Sequence, residues 1–428
     1  MQFSFLHDTQ ACGKGTFRKR RGLDFWKDFI YILSLNIWAS MMRSIMTAGF
    51  GLCLALLLAA TPARAALTAA ELSLDEAVLN QFNVVTFGNY TANSETEGLV
   101  AVGGNFTGSG RNICFNGCAG ATTSAALGAT YGALTVWGNM SGGATVEQGN
   151  AAIQGNNTAA STLNMQGNGG VSIAGTNSGT IENPTFIRTS AATAGATMNL
   201  RNNVPITTGL PAATAFPYGA TMPFQAALTD LATSIAADAA ATNAQTLGKY
   251  VQNGPTGITA TAANGDYGGM TYGFITTTVA DLESDQNFSG IDTNGLDAVF
   301  VVVTGQSTGP LPTLNTNDSN VIWDFVDATS LTFSGSWYGQ ILAPNATVTN
   351  NGDLNGTVIA KAIVQNAEIH QYDNGGDVLP LNVLSGLPTT TIGTSQGGGT
   401  SVDEPSTIAV LLVGVLGLVV LRRKMARA

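Results

Sequence analysis

The sequence predicts a mainly β protein: an irregular right-handed parallel β-solenoid with one long α-helix packed along its side, an N-terminal signal helix and a C-terminal transmembrane helix. Three observations carry this. Short apolar strands recur and are closed by Gly-Asn or Asn-Gly pairs. One long amphipathic stripe stands among them. Apolar runs lie near both ends of the chain.

The strand rhythm is clearest at residues 99–105, 134–139, 163–168, 171–175, 339–348 and 354–360. They read as strands of three to five residues punctuated by Gly and Asn, as at Gly104-Asn105 and Gly138-Asn139. Gly and Asn tolerate the left-handed backbone that a sharp corner needs. The intervals are uneven, so coils with insertions are expected rather than a strict repeat. A β-sandwich also strings short strands between turns and stays open as the rival. Residues 297–303, 321–326 and 331–335 read as further strands, the first of them buried.

Two helices are expected. Residues 69–81 carry Leu72, Leu74, Ala77 and Leu79 among polar neighbours. Residues 222–247 place Phe224, Leu228, Leu231, Ile235 and Ala239 at spacings of three and four, one apolar stripe. A lone stripe among strands must be buried against a sheet face. The polar side holds Asp230 and Asp238 and no Lys or Arg cluster, which argues against a membrane-surface helix.

The ends read as export and sorting signals. Arg43, an apolar run over 45–60 and the Ala63-Arg64-Ala65 site form a signal peptide cleaved after Ala65. The first 40 residues fit that signal badly, and translation is expected to start at Met41, Met42 or Met46, the alternative being an unusually long signal. The tail reads Asp403, Glu404, Pro405, Ser406, Thr407, an apolar run over 408–421, then Arg422, Arg423, Lys424 and Arg427. A polar motif, a greasy helix and a basic tip in that order resemble the PEP-CTERM tail, with Asp403 where the family carries proline. The resemblance implies an exosortase-type processing protease and a bacterium that makes exopolysaccharide. The basic tip keeps the end cytoplasmic, so the chain is held in the membrane by its C-terminal helix before processing. The apolar run is short against the roughly 20 residues that span a bilayer, which suits transient retention. The expected organisation is 1–40 extension, 41–65 signal peptide, 66–384 solenoid domain, 385–402 Gly/Ser/Thr linker and 403–428 sorting tail.

Charge narrows the partners. Between residues 66 and 401 there are five basic residues (Arg111, Arg188, Arg201, Lys249, Lys361) against 22 acidic ones, a net charge of −17. That excludes nucleic acid, whose phosphates need clustered Lys and Arg. Abundant Gly, Asn and Thr with little Lys or Glu suits extracellular β-structure. Cys114 and Cys118 are expected to form a disulfide in an exported protein. With His370 the one histidine past the signal, no Cys/His zinc set can be assembled. No metal and no cofactor are expected.

Candidate chemistry is sparse. Asp281, Glu283 and Asp285 are spaced by two, but Gln286 stands where an EF-hand needs glycine. In a strand they would share one face and could still hold calcium; a solvated acidic turn is the simpler reading. His370 with Glu368 or Asp373 could form a general base, and Asp292 and Asp297 flank a glycine turn. No catalytic residue is assigned. Trp137, Trp323, Trp337, Tyr338 and Tyr372 could stack on sugars if they line one face.

Residues 82–90 and 97–105, with 339–348, 356–360 and 368–370, resemble the two edges of the choice-of-anchor A domain. The resemblance spans about 78–374, with little in between. It implies a β-solenoid surface adhesin, with no ligand and no catalytic residue. The expected function is therefore a non-catalytic adhesin, exported to the cell surface or matrix, binding extracellular polysaccharide or another surface ligand and associated with biofilm. The alternatives are an ice-binding-like solenoid and a polysaccharide-processing enzyme. Ice binding needs a flat array of threonines, and Thr256, Thr259, Thr261 and Thr276 to Thr278 are short and irregular as a set.

Overall fold

Gly-Asn corners that turn short strands through repeated angles generate stacked coils, and that is what the chain forms. The computed structural model describes residues 67–115, 118, 127, 130–191, 197–200, 204–247, 257–265, 267–284, 290–314, 320–371 and 383–388. The signal segment, the sorting tail and all of the expected linker except residues 385–388 lie outside them.

The order begins with α1 (Ala69–Gln81), then β1 (Phe82–Thr86), β2 (Tyr90–Ala92), β3 (Leu99–Val102), β4 (Phe106–Ile113), β5 (Leu134–Val136), β6 (Met140–Val146), β7 (Ala151–Ile153), β8 (Thr162–Met165), β9 (Val171–Ile173), β10 (Thr180–Glu182), β11 (Ile187–Thr189), β12 (Thr197–Asn199) and β13 (Ile206–Thr207). There follow α2 (Ala212–Ala215), α3 (Gln225–Ala241), β14 (Gln245–Thr246), β15 (Gly257–Thr259), β16 (Tyr272–Thr278), α4 (Val279–Ser284), β17 (Gly290–Asp292) and β18 (Ala298–Thr304). The last strands are β19 (Val321–Phe325), β20 (Ser330–Phe333), β21 (Trp337–Tyr338), β22 (Gln340–Asn350), β23 (Leu354–Asn355), β24 (Val358–Gln365) and β25 (Ile369–His370), before a 3-10 turn at Val383–Gly386.

All the strand pairings among the described residues are parallel. Strands two apart in sequence pair: β1, β3, β5, β7, β9, β11 and β13 form one ladder, and β2, β4, β6 and β8 a second. The chain thus returns to each ladder once per coil, which is a β-solenoid, and the sandwich rival, built of antiparallel sheets, is set aside. A third face is made by β21, β23 and β25, continued by Thr96, which bridges both Ile369 and Ile113.

The stacking order is not the chain order. β24 pairs β22 on one side and β1 on the other, with Val84 opposite Val358. The end of the domain therefore seats its beginning. Side chains lock this seam: Asn83 Nδ2 donates to the carbonyls of Gly356 (2.8 Å) and His370 (3.0 Å), and the single Thr357 O–H is shared between those of Leu79 (2.8 Å) and Phe82 (2.6 Å).

The corners repeat one hydrogen-bond motif. Asn89 Oδ1 accepts the Asn105 N–H (2.9 Å), Asn105 Oδ1 that of Asn139 (2.9 Å), Asn139 Oδ1 that of Asn156 (2.8 Å), and Asn156 Oδ1 that of Thr176 (2.8 Å). The glycine before each asparagine is packed backbone on backbone. A Cβ at Gly138 would lie 2.4 Å from the Gly104 carbonyl oxygen, and one at Gly155 2.5 Å from that of Gly138. Here the glycine is needed for close approach.

α1 opens with a capping box between Thr68 and Glu71 and buries Leu72, Val78 and Leu79. α3 lies across β16, β18, β19 and β22 and buries Leu228, Leu231, Ile235 and Ala239, as the stripe predicts. It is shorter than the expected 222–247. After Ala241 the chain drops into β14, whose Gln245 pairs with Ile275 of β16, so sheet hydrogen bonds replace the last helical turns. Among the described residues no helix is long and apolar enough to cross a membrane; the expected transmembrane helix at 408–421 lies outside them.

Candidate functional site

The strand register assembles a surface that no stretch of sequence displays. On β20, β22, β24, β2, β4 and β6 alternate residues point inward, such as Phe333, Asn350, Gln365, Tyr90, Phe106 and Met140, all buried. The residues between them point outward and stand side by side: Thr332 beside Thr349, Thr349 beside Val364, Val364 beside Thr91, Thr91 beside Thr107, and Thr107 beside Ser141. Thr158 and Ser178 extend the row, each following an asparagine of the Met140–Asn157–Asn177 bridges. Seven of these eight positions carry a hydroxyl and none a charge. Parallel strands set the repeat at about 4.8 Å. The Thr107 and Ser141 hydroxyls are 3.3 Å apart. A second outward row, Ser330, Thr347 and Ala362, is also uncharged.

The third face is different. Asp353, Glu368, Glu95 and Asn112 directly precede the paired residues Leu354, Ile369, Thr96 and Ile113 and so form an acidic row. Asn112 Nδ2 donates to Glu95 Oε1 at 3.0 Å. His370 sits between two carboxylates, with Nδ1 3.0 Å from Glu97 Oε1 and Nε2 3.4 Å from Glu368 Oε2. The histidine is thus tied into the seam; Asp373 lies outside the described residues. Among the described residues no group of three or more His, Cys, Asp or Glu is placed to hold a metal ion.

The other sequence candidates are accounted for locally. Asp281 and Glu283 lie on α4, a helix, so the shared strand face considered for calcium does not form. Thr278 caps this helix through Asp281. Glu283 clamps the next loop, accepting from the Ser307 hydroxyl (2.8 Å), the Thr308 N–H (2.8 Å) and hydroxyl (2.7 Å), and the Gly309 N–H (2.9 Å). Burial raises its pKa, but these donors together bring it below the usual glutamate value. Asp297 binds the Thr271 N–H (2.7 Å) and hydroxyl (2.8 Å), and Asp292 the Asn294 N–H (2.9 Å). Trp323 and Trp337 are core residues packed edge to face at 5.0 Å. Trp137 is 5 % exposed within a cluster of Tyr131, Phe216, Tyr218 and Phe224. The tryptophans therefore do not line an exposed face, Tyr338 is half-buried, and Tyr372 is outside the described residues. Cys114 and Cys118 are bonded, with Cα atoms 5.1 Å apart. The sorting motif Asp403, Glu404, Pro405, Ser406, Thr407 and the cleavage residues Ala63 and Ala65 lie outside the described residues.

The threonines singled out from sequence do not contribute to the hydroxyl row. Thr259 and Thr276 sit on β15 and β16, and Thr256 is outside the described residues. The row's own members were hidden because they come from eight separate segments and become neighbours only through the register.

A search of curated protein sequences returns no match. Among solved structures, the ice-binding protein of the Antarctic ascomycete Antarctomyces psychrotrophicus is found at 15% identity, covering 53% of this chain and 95% of that one, with a TM-score of 0.18. A superposition that loose has no bearing on the fold, which rests on the pairings above. The profile of the family described as "Putative Ice-binding-like adhesive domain" matches residues 75–371, from α1 to the residue after β25. That match spans more than half of the sequence, and the chain belongs to this family of ice-binding-like adhesive domains.

Proposed function

We propose that the protein is an exported adhesive module that docks on a repetitive surface through its flat hydroxyl face, without chemical turnover. The observation that carries this is the uncharged row Thr332, Thr349, Val364, Thr91, Thr107 and Ser141, held at one strand spacing by parallel pairing. Hydroxyls on a rigid ladder lose little conformational freedom on binding, and many weak contacts in register add through multivalency. The ligand class is a neutral extended surface, with extracellular polysaccharide first. The tail and the front of the chain support the rest of the reading: signal-peptide export, membrane retention by the C-terminal helix, cleavage by an exosortase-type protease, and display at the cell surface or in a biofilm matrix. The choice-of-anchor A resemblance and the right-handed coil belong to the same proposal.

The test is adsorption of the purified mature domain to insoluble polysaccharide particles, comparing wild type with Thr91→Tyr/Thr107→Tyr, which breaks the flat row. Equal adsorption by both proteins would sink the reading. A second reading, binding to an ice face, rests on the same uncharged threonine row and the family to which the chain belongs. Thermal hysteresis lost in the same variant would select it over polysaccharide. The sorting pathway has its own test, the mature C-terminus by mass spectrometry: an end near Pro405 supports processing, and an intact Arg427 refutes it.

A further inference from the structure

Two open clefts of similar size flank the coils, and they differ in what their polar groups do. One, of about 400 Å³, is bounded by Gln154, Ala174, Ala212, Phe216 and Pro217. The one polar side chain among its described lining residues is already engaged, since Gln154 Nε2 donates to the Gly219 carbonyl at 3.3 Å. The other, of about 450 Å³, is lined by Leu99, Cys118, Thr130, Tyr131, Gln148 and Asn150, with Ala133, Gly149 and Gly167 between them. Of its lining residues, Thr130, Tyr131 and Gln148 carry side-chain polar groups with no hydrogen bond among the described residues. Asn150 spends its Oδ1 on the Gly170 N–H (2.9 Å), which leaves its NH₂ group unspent.

We infer that this second cleft is a binding subsite for a neutral hexopyranose ring. Three properties point to that chemistry. No charged side chain is found among the described residues that line the cleft, so a phosphate or carboxylate ligand would gain no ionic partner from them. Its hydroxyls and amides supply both donors and acceptors, as a ring of hydroxyl groups requires. Leu99, Ala133 and the disulfide at Cys118 supply apolar surface for the C–H face of the ring. The volume lies in the range of small-ligand sites.

The groups are also held in place. The Tyr131 ring stacks on Tyr218 at 4.7 Å and meets Phe82 (5.6 Å) and Phe224 (5.2 Å) edge on, so its hydroxyl is positioned before any ligand arrives. Burial pushes the Tyr131 pKa up to about 12, with Tyr218 adding to the rise, so the hydroxyl remains a donor at neutral pH. Tyr218 is fixed in turn by donating to the Thr130 carbonyl at 3.1 Å.

The cleft is separate from the hydroxyl face, so the two ideas fail independently. The experiment is saturation-transfer NMR on the mature protein with methyl glucoside, methyl galactoside, methyl mannoside and N-acetylglucosamine as probes, and glucuronate as the charged control. At least one neutral sugar is expected to bind saturably, more tightly than glucuronate. Gln148→Ala, an exposed change that removes no internal bond, should weaken it by about five- to tenfold, the loss of one net hydrogen bond. Tyr131→Phe should weaken it similarly, and Thr91→Tyr/Thr107→Tyr should leave it unchanged. No saturable neutral sugar, equal binding of glucuronate, or full affinity in Gln148→Ala would each overturn the inference.

Discussion

The Tyr90 hydroxyl donates to Gln365 Oε1 at 2.6 Å, joining two buried residues 275 positions apart in the chain. The pair sits where β2 meets β24, on the seam between the domain's beginning and its end. Gln365 Nε2 continues the network to the Glu95 carbonyl (2.7 Å) and the Thr96 hydroxyl (3.2 Å). Tyr90→Phe keeps the ring that packs on Phe106 at 5.6 Å and removes only the donor. Gln365 Oε1 keeps Thr96 Oγ1 as a poorer partner at 3.4 Å. The expected cost is about 1–2 kcal/mol, read as a lower urea midpoint at constant slope. An unchanged midpoint would mean that the seam draws nothing from this bond.

The corner glycines should be the least tolerant positions of the coil. At Gly138 an added Cβ meets the Gly104 carbonyl oxygen at 2.4 Å and its carbon at 2.5 Å, backbone that cannot swing aside. Gly138→Ala must therefore separate two coils, and a loss above about 3 kcal/mol is expected. The neighbouring Asn139→Ala removes one acceptor from an exposed corner and should cost about 1 kcal/mol. Thermal unfolding of the two variants side by side tests the ranking, and a milder glycine variant would refute the packing argument.

Those corners are also where the fold was readable from sequence. Gly104-Asn105 and Gly138-Asn139 advertise a local backbone demand, and a local demand leaves a local trace. The α3 stripe is legible for the same reason, since Leu228, Leu231 and Ile235 lie within two helical turns. The hydroxyl face left no such trace. Thr332, Thr349, Thr91 and Thr107 are ordinary threonines in four strands, and what makes them a surface is the parallel register through β24. The non-sequential pairing of β1 with β24 was invisible too, because hydrogen bonds between backbones carry no residue signature.

If the row works by flatness, its response to substitution should be graded by position. Thr107 is exposed and central, with Thr91 on one side and Ser141 on the other. Thr107→Tyr should reduce adsorption at least tenfold, whereas Thr107→Ser, which keeps the hydroxyl, should stay within about twofold. Lys361→Ala, which removes a nearby charge but no row member, should have little effect. A loss led by Lys361→Ala would instead make the contact electrostatic, and raised salt would then weaken wild type.

Acid, rather than alkali, should favour the layer of helices. Asp75 on α1 is fully buried, and neither carboxylate oxygen has a hydrogen-bond partner. Burial, with Glu71 and Asp230 adding repulsion, raises its pKa from 3.8 to about 8. The folded protein therefore keeps this proton where the unfolded chain has released it. The stability it lends is full below pH 3.8 and is lost as pH rises towards 8, with a slope of at most about 1.4 kcal/mol per pH unit. Asp324 on β19, also buried with both oxygens unpartnered, is shifted upward by burial and acts in the same direction. Glu283 opposes them, since its lowered pKa lends stability that is lost as pH falls. A wild-type curve alone cannot separate the three, but a difference curve can. Asp75→Asn should gain stability relative to wild type as pH rises from 4 to 8, with the melting-temperature difference growing across that interval. A difference that stays flat would show that Asp75 titrates normally and that water reaches it beneath α1.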